Sequence, residues 1–299
     1  MKDKKLNEKG AVAAIVVLAI TAILGFGAVV IDGGLLYYQK ARLETAVDAA
    51  VLAGASVLRQ GSSVARQTAL DTAAANGLTD GEIAVDVDLA SGTVTARASR
   101  QVALGLARVL RISSAEVAAA SAAGALLPTG IQGAVPLGVV WQDFVFGQLY
   151  DLKLGDGVTG NYGALALGGT GAANYRDNLE HGYPAWLRTG EMILTETGNM
   201  SNPTKTAVDS RIRDCNHQPP CTHEQFVPGC TRVVTVPIIS HLPNGRGEVS
   251  ILGFAGFFLE GVGGQGNDNY VRGRFVRMFT QGEVGGANDY GLQVVKLLR

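Results

Sequence analysis

Aromatic residues make up only 6% of the 299-residue chain, and there are three cysteines. So few large rings argue against an aromatic-lined ligand pocket. Three cysteines cannot form the dense disulfide framework of a small secreted scaffold. Charge of one sign is also missing. The formal net charge is −1, so no basic excess points to nucleic acid. Complete catalytic motifs are absent too. Gly168-Gly169-Thr170-Gly171 is followed by Ala172-Ala173-Asn174 and has no phosphate-binding Lys-Ser/Thr. No Gly-x-Ser-x-Gly elbow occurs. His223-Glu224 opens like a zinc-protease motif, but Val227 stands where the second histidine belongs. Glu180, His181 and Glu191 are merely near in sequence, a weak signal for acid–base work. The expectation is a protein with no catalytic set and no cofactor.

What the chain has in quantity is small and aliphatic residues: 40 glycines and 47% hydrophobic content. Their most concentrated use is residues 11–31, which carry no charge at all. As a helix at ~1.5 Å per residue this run spans about 30 Å, one hydrocarbon core. It exceeds the usual signal-peptide core and ends in Ile31-Asp32-Gly33-Gly34 without an Ala-x-Ala site. The run therefore reads as an uncleaved transmembrane helix. Lys2, Lys4, Lys5 and Lys9 precede it, and the positive-inside rule places residues 1–10 in the cytoplasm and 32–299 outside. Tyr37 and Tyr38 sit where interfacial aromatics belong.

Beyond the membrane, Leu36, Leu43, Val47, Ala50, Gly54 and Val57 form one apolar stripe at helical spacing. The spacing predicts a helix continuing from the membrane towards Leu58, with a weak point at Gly33-Gly34. A second helix is expected over 64–75, stopped by Asn76-Gly77. Ile83, Val85, Val87 and Leu89, then Val94, Ala96 and Ala98, alternate with polar or small residues around a Ser91-Gly92 turn. This predicts a β-hairpin. Residues 102–110 read as helix again, and 115–123 as a strand or short helix.

The membrane run, Asp32-Gly33 with Tyr37, and Asp48-Ala49-Ala50 with Ala53-Gly54-Ala55 together resemble the N-terminal region of TadE/TadG-like Flp pilus-assembly proteins. The resemblance covers about residues 6–125. It implies a single-pass structural or assembly component of a tight-adherence pilus or related surface apparatus in a bacterial cytoplasmic membrane. Implied partners are the bilayer, pilus or secretion-apparatus membrane proteins, and further copies of the chain. Asp32, Gly33, Tyr37, Asp48, Ala49, Ala50 and Gly54 are the motif positions available for partner-helix contact. Asp48 reads first as a solvated polar position on an amphipathic helix, with contact to a neighbouring subunit's helix as the alternative. Prepilin members carry Glu five residues after the cleaved Gly. Here Gly10 is followed by Ala11 to Ile15, so no prepilin-type processing is expected.

Leu127-Pro128-Thr129-Gly130 marks a boundary, giving 1–10, 11–31, 32–127 and 128–299 as the expected segments. In the last of these, strands are expected over 135–141, 163–167, 191–195, 232–240, 248–259, 270–279 and 292–298, with Gly253 and Gly256 marking a bend. The fold class is membrane-anchored α+β: a transmembrane helix continuing into a helix packed on a small sheet, then a mostly antiparallel, barrel-like β-domain. An enzyme or an adhesin-like binding module in 128–299 is the alternative function. One dense constellation lies there: Cys215, His217, Cys221, His223 and Cys230. These residues could bind zinc, though the spacing matches no strong finger motif. Outside the membrane the expected use is a disulfide between two of the cysteines, with one thiol spare. Three reduced cysteines are the remaining possibility.

Overall fold

The structure is a computed structural model that describes residues 8–154, 161–196, 200–264 and 268–298. Lys2, Lys4 and Lys5 of the basic head lie outside the described residues. The chain divides into two compact units, the first running to Gly124 and taking back the tail after Val295, the second spanning Ala125–Val295. The division falls between 124 and 125, against the break expected at 127/128.

The first unit opens with one helix, α1 (Glu8–Ser56). Gly33 and Gly34 do not interrupt it. A Cβ at either would meet nothing within 4 Å, so no packing contact exploits their small size. The apolar stretch from Val12 onward is exposed, with Leu18 at 71% and Phe26 at 76%. It makes α1 the one described helix long and apolar enough to cross a membrane. Past Gly34 the character changes. Leu43, Ala46, Val47, Ala50, Val51 and Ala55 are buried. They pack on α2 (Ser62–Ala75), which presents Ala65, Ala69 and Ala73. Beneath lies an antiparallel sheet of β1 (Ile83–Asp88), β2 (Thr93–Ala103) and β3 (Ser114–Leu126). Val94, Ala96 and Ala98 of β2 point into the core while Thr95, Arg97 and Ser99 face out, the period of two expected of a half-buried strand. The tail joins this unit where Leu298 N–H donates to Ala122 O at 2.7 Å.

Two expectations for this unit change. Val102 and Ala103 extend β2 rather than starting a helix. Only Ala107–Leu110 turn, as a short 3₁₀ segment. A β2–β3 pairing of eleven residue pairs wins over the helical tendency of this Ala- and Leu-containing stretch. The alternatives for 115–123 resolve as strand, inside β3.

The second unit contains β4 (Pro128–Ile131), β5 (Leu137–Val139), β6 (Leu149–Leu154), β7 (Asn161–Ala164), α3 (Ala172–His181), β8 (Leu187–Arg188) and β9 (Met192–Leu194). These are followed by α4 (Ser201–Arg213), β10 (Val233–Ile239), β11 (Glu248–Gly263), β12 (Tyr270–Val276), β13 (Met278–Thr280), β14 (Glu283–Val284) and β15 (Leu292–Leu297). Six strands close a ring of pairings in the order β10-β5-β7-β6-β12-β11, with β11 bonded back to β10. The barrel-like expectation is met. Four of the six pairings are antiparallel, and β10–β5 and β6–β7 are parallel. β14, β4 and β8 form a separate small sheet.

β11 explains why this half reads as unbroken apolar runs. Phe257 belongs to the main core with Phe275, Val236 and Leu137. Phe258, on the opposite face, joins Cys221, Cys230 and Val276. Both faces are covered, so alternation disappears from the sequence. The expected bend is present: the β10–β11 register shifts between Ile238 and Ile239, beside Gly253. Gly253 is also required by space, because a Cβ there would lie 2.5 Å from the Tyr290 ring.

Helices α3 and α4 are absent from the elements expected in 128–299, which are all strands. Pro203 falls in the first turn of α4, where a missing N–H costs nothing. The two helices pack on each other, and α4 also packs on β11. The Tyr175 hydroxyl stands 3.0 Å from Thr204 Oγ1 between them. Arg211 donates to Leu179 O of α3 and, at 2.9 Å, to Thr231 O. Burial pushes its pKa down to about 10.

Candidate functional site

Two regions gather the residues singled out by sequence. The first is the loop between α4 and β10. It leaves α4 at Arg213 and enters β10 at Val233, with no regular helix or strand between. Cys221 and Cys230 are 4% and 2% exposed, held against Phe258 and Val276 of the barrel wall. Cys215 is half-buried beside them. Cys215 Sγ stands 3.4 Å from Cys230 Sγ and 3.6 Å from His217 Nδ1. Cys221 Sγ stands 3.5 Å from the same His217 nitrogen. All four ligand atoms lie within 4.8 Å of one another. No S–S bond joins any two of the three cysteines in this structure, where the sequence favours a disulfide with one thiol spare. His223 is not part of the group. Its ring lies against Gly147, and its Nε2 is 3.8 Å from Glu224.

The second region is the α1 segment that follows the apolar run. Asp32 is 4% exposed, and its carboxylate accepts from Gly105 N–H at 2.9 Å and Ala107 N–H at 2.6 Å. It thereby satisfies donors at the start of the 3₁₀ turn and ties the end of the apolar run to the β2–β3 connection. Tyr37 and Tyr38 are exposed, with the Arg42 guanidinium 5.8 Å above the Tyr38 ring. Ala50 and Gly54 face inward. A Cβ on Gly54 would lie 2.9 Å from Ala65 O and 3.2 Å from Val94 Cγ1. Asp48 and Ala49 are half-buried. A small-residue run that lets two helices approach over a strand, with a buried Asp at the end of the apolar run, is a specific arrangement.

Residues 10–57 match the Tad family model, Flp pilus-assembly TadE/G-like. The match supports a role related to Flp pilus assembly. It ends where α1 ends, so it covers the apolar run and the motif helix but not α2 or the hairpin. No curated protein and no solved structure matches the chain. The C-terminal half has no family match.

Within the Tad segment the structure separates two kinds of motif residue. Asp32, Ala50 and Gly54 are engaged inside the chain. Gly33 and Tyr37 are exposed, and they remain open to other helices. Sequence reasoning missed Arg100, which holds this unit together. It donates through Nε to Glu82, through Nη2 to Glu82 Oε2 at 2.8 Å and Gly77 O at 2.7 Å, and through Nη1 to Gln39 Oε1 at 3.3 Å. A signal was present. Arg100 occupies the inward register of β2, between Ala98 and Val102, where a charge requires a partner.

The suggested acid–base neighbours do not form one site. Glu180 accepts from Ser210 Oγ at 2.5 Å, and Glu191 accepts from Arg188 N–H at 3.0 Å. His181 is exposed and 3.8 Å from Asp177 on its own helix. The Gly168–Gly171 stretch leads into α3, and Gly171 N–H donates to Glu196 Oε1 at 2.7 Å. Its donor is used by a carboxylate of this chain.

Proposed function

We propose that this protein is a single-pass, membrane-anchored, non-catalytic component of a Flp-type pilus or a related surface apparatus. The N-terminus faces the bacterial cytoplasm and residues 32–299 lie outside. The observation that carries the reading is α1 itself. One unbroken helix exposes large apolar side chains from Val12 to Ile31, then becomes the buried spine of a folded unit, and the Tad match spans both parts. A bare apolar stretch of this length suits lipid, since water would strongly penalise it.

The surroundings of Asp32 support the same placement. Leu106 reaches the helix at Gly27, where a Cβ would be 3.4 Å from Leu106 Cδ1. Close by in the chain, Val109 and Ile112 are 63% and 50% exposed, and Arg108 and Arg111 flank them. Apolar tips with adjacent arginines suit a membrane interface. The exposed Tyr37 and Tyr38 lie on the same stretch of α1, as interfacial aromatics do. The non-catalytic part of the reading is supported by the dispersal of histidines. His181 and His241 are exposed, and His241 Nδ1 stands 3.0 Å from its neighbour Ser240 Oγ.

In-frame deletion of the gene, with complementation, tests this function. The expected outcome is loss of surface pili or of tight adherence, restored by the wild-type chain. Normal piliation and adherence in the deletion strain would refute it.

A further inference from the structure

We propose that Cys215, His217, Cys221 and Cys230 form a structural zinc site with the spacing Cys-x-His-x3-Cys-x8-Cys. Such a site is independent of the pilus reading. Zinc binds thiolate sulfur at about 2.3 Å and imidazole nitrogen at about 2.0–2.1 Å in a tetrahedron. A tetrahedron of those dimensions has edges of roughly 3.8 Å between sulfurs and roughly 3.5 Å between sulfur and nitrogen. The observed edges include 3.4 Å for Cys215–Cys230, 3.6 Å for Cys215–His217 and 3.5 Å for Cys221–His217, and none exceeds 4.8 Å. Three of the six edges thus match a zinc-sized tetrahedron, and the other three need to shorten by no more than about 1 Å to do so.

A disulfide uses this arrangement less well. Joining Cys215 to Cys230 would bring the two sulfurs from 3.4 Å to about 2.05 Å. It would leave Cys221 and His217 converging on nothing. The metal uses all four. Three thiolates with one imidazole select zinc among common divalent ions, because carboxylate and water ligands, which suit magnesium or calcium, are absent from the set. Binding releases the three thiol protons to solvent and leaves the zinc complex with net charge −1. Arg232 stands beside it, donating through Nη1 to Cys221 O at 3.3 Å and through Nε to Leu259 O at 2.9 Å. Its guanidinium lies 4.4 Å above the Phe258 ring. That cation offsets the complex's charge from a fixed position.

The site is structural rather than catalytic. Protein ligands fill all four positions, and no open position remains for water or substrate. Its place in the fold explains its use. The stretch from Asp214 to Arg232 is long and lacks secondary structure, a kind of loop that compact domains rarely hold by packing alone. Cys215 lies just after α4 and Cys230 just before β10. One ion therefore fixes both ends of the loop and seats its middle, through Cys221, on the outer face of the barrel at Phe258 and Val276.

The test uses the full chain in detergent, purified without chelators through a tag that carries no histidine. Mass spectrometry of the elements is expected to find about one zinc per chain. After denaturation in EDTA, three thiols should react. Cys221→Ser and His217→Ala should lower zinc content by at least about tenfold. His223→Ala should leave it unchanged. Because a cysteine variant can fail to fold, the wild-type chain is also stripped and refilled with cobalt(II). Intense visible bands and a thiolate-to-cobalt charge-transfer band are expected, the signature of tetrahedral thiolate ligation. A Cys215–Cys230 disulfide in the purified wild type, a weak cobalt spectrum of octahedral type, stoichiometric iron in place of zinc, or equal zinc loss from His223→Ala would each overturn the assignment.

Discussion

Gly54→Leu unfolds the first unit, or loosens it by about 3 kcal/mol. The reason is local. At Gly54, α1 crosses both α2 and β2, and the first added carbon already meets the Ala65 carbonyl oxygen at 2.9 Å, Ala69 Cβ at 3.1 Å and Val94 Cγ1 at 3.2 Å. The nearest of these is backbone, which cannot rotate away as a side chain can. Gly54→Ala is the milder case. It gains up to about 1 kcal/mol of helix propensity, but the same contact forces α1 and α2 apart, for a net loss of about 1 kcal/mol. Hydrogen exchange on the full chain in detergent checks both. Amides of α2 and β2 should lose protection in the order wild type, Gly54→Ala, Gly54→Leu. Unchanged protection in Gly54→Leu would show that the helices do not approach closely here.

Arg100→Met is expected to destabilise the same unit by about 2 kcal/mol. The substitution removes every bond that Arg100 makes to Gln39 on α1, to Gly77 after α2, and to Glu82 at the start of β1. It also leaves Glu82, whose side chain is 20% exposed, without its counter-charge. The pair carries a pH signature. The hydrogen bond from Arg100 is the largest of the effects that hold the Glu82 carboxyl down to about 2. Its folded pKa lies below the ordinary value, so its contribution is present above about pH 4.5. That contribution is lost as pH falls through about 2. Partial exposure limits the swing to about 2 kcal/mol. Stability curves measured between about pH 5 and about pH 2 should therefore converge for wild type and Glu82→Gln at the acid end and diverge above. Parallel curves would mean that Glu82 and Arg100 are not paired in the folded protein.

The legibility of this fold followed the strength of its local patterns. The stripe Leu36, Leu43, Val47, Ala50, Gly54, Val57 could be read because α1 buries one face only, and the hairpin because β1 and β2 alternate. Both are periodic signals that survive without tertiary information. The helices of the second unit were illegible for the opposite reason. α4 buries Thr204, Ala207, Val208 and Ser210, a face of small and polar residues with little hydrophobic contrast. The pairings that complete the barrel, β10 with β5 and β6 with β12, join segments far apart in the chain, which no local pattern dictates.

At the candidate sites the division is similar. Asp32 and Gly54 were found as motif positions, but their roles were not. Asp32 binds amides more than seventy residues away, and Gly54 is fixed by the approach of α2. The cysteines were found by clustering. That His217 joins them and His223 does not depends on how the loop folds over Phe258, which spacing alone does not reveal.

The central claim is that the Tad segment places this chain in a pilus-type membrane assembly. Affinity purification of the tagged full chain from gently solubilised native membranes, with copurifying proteins identified by mass spectrometry, tests it most directly. The account predicts recovery of pilus-type subunits together with a secretion ATPase or its membrane platform. Recovery of the chain alone from membranes that contain those proteins would contradict it.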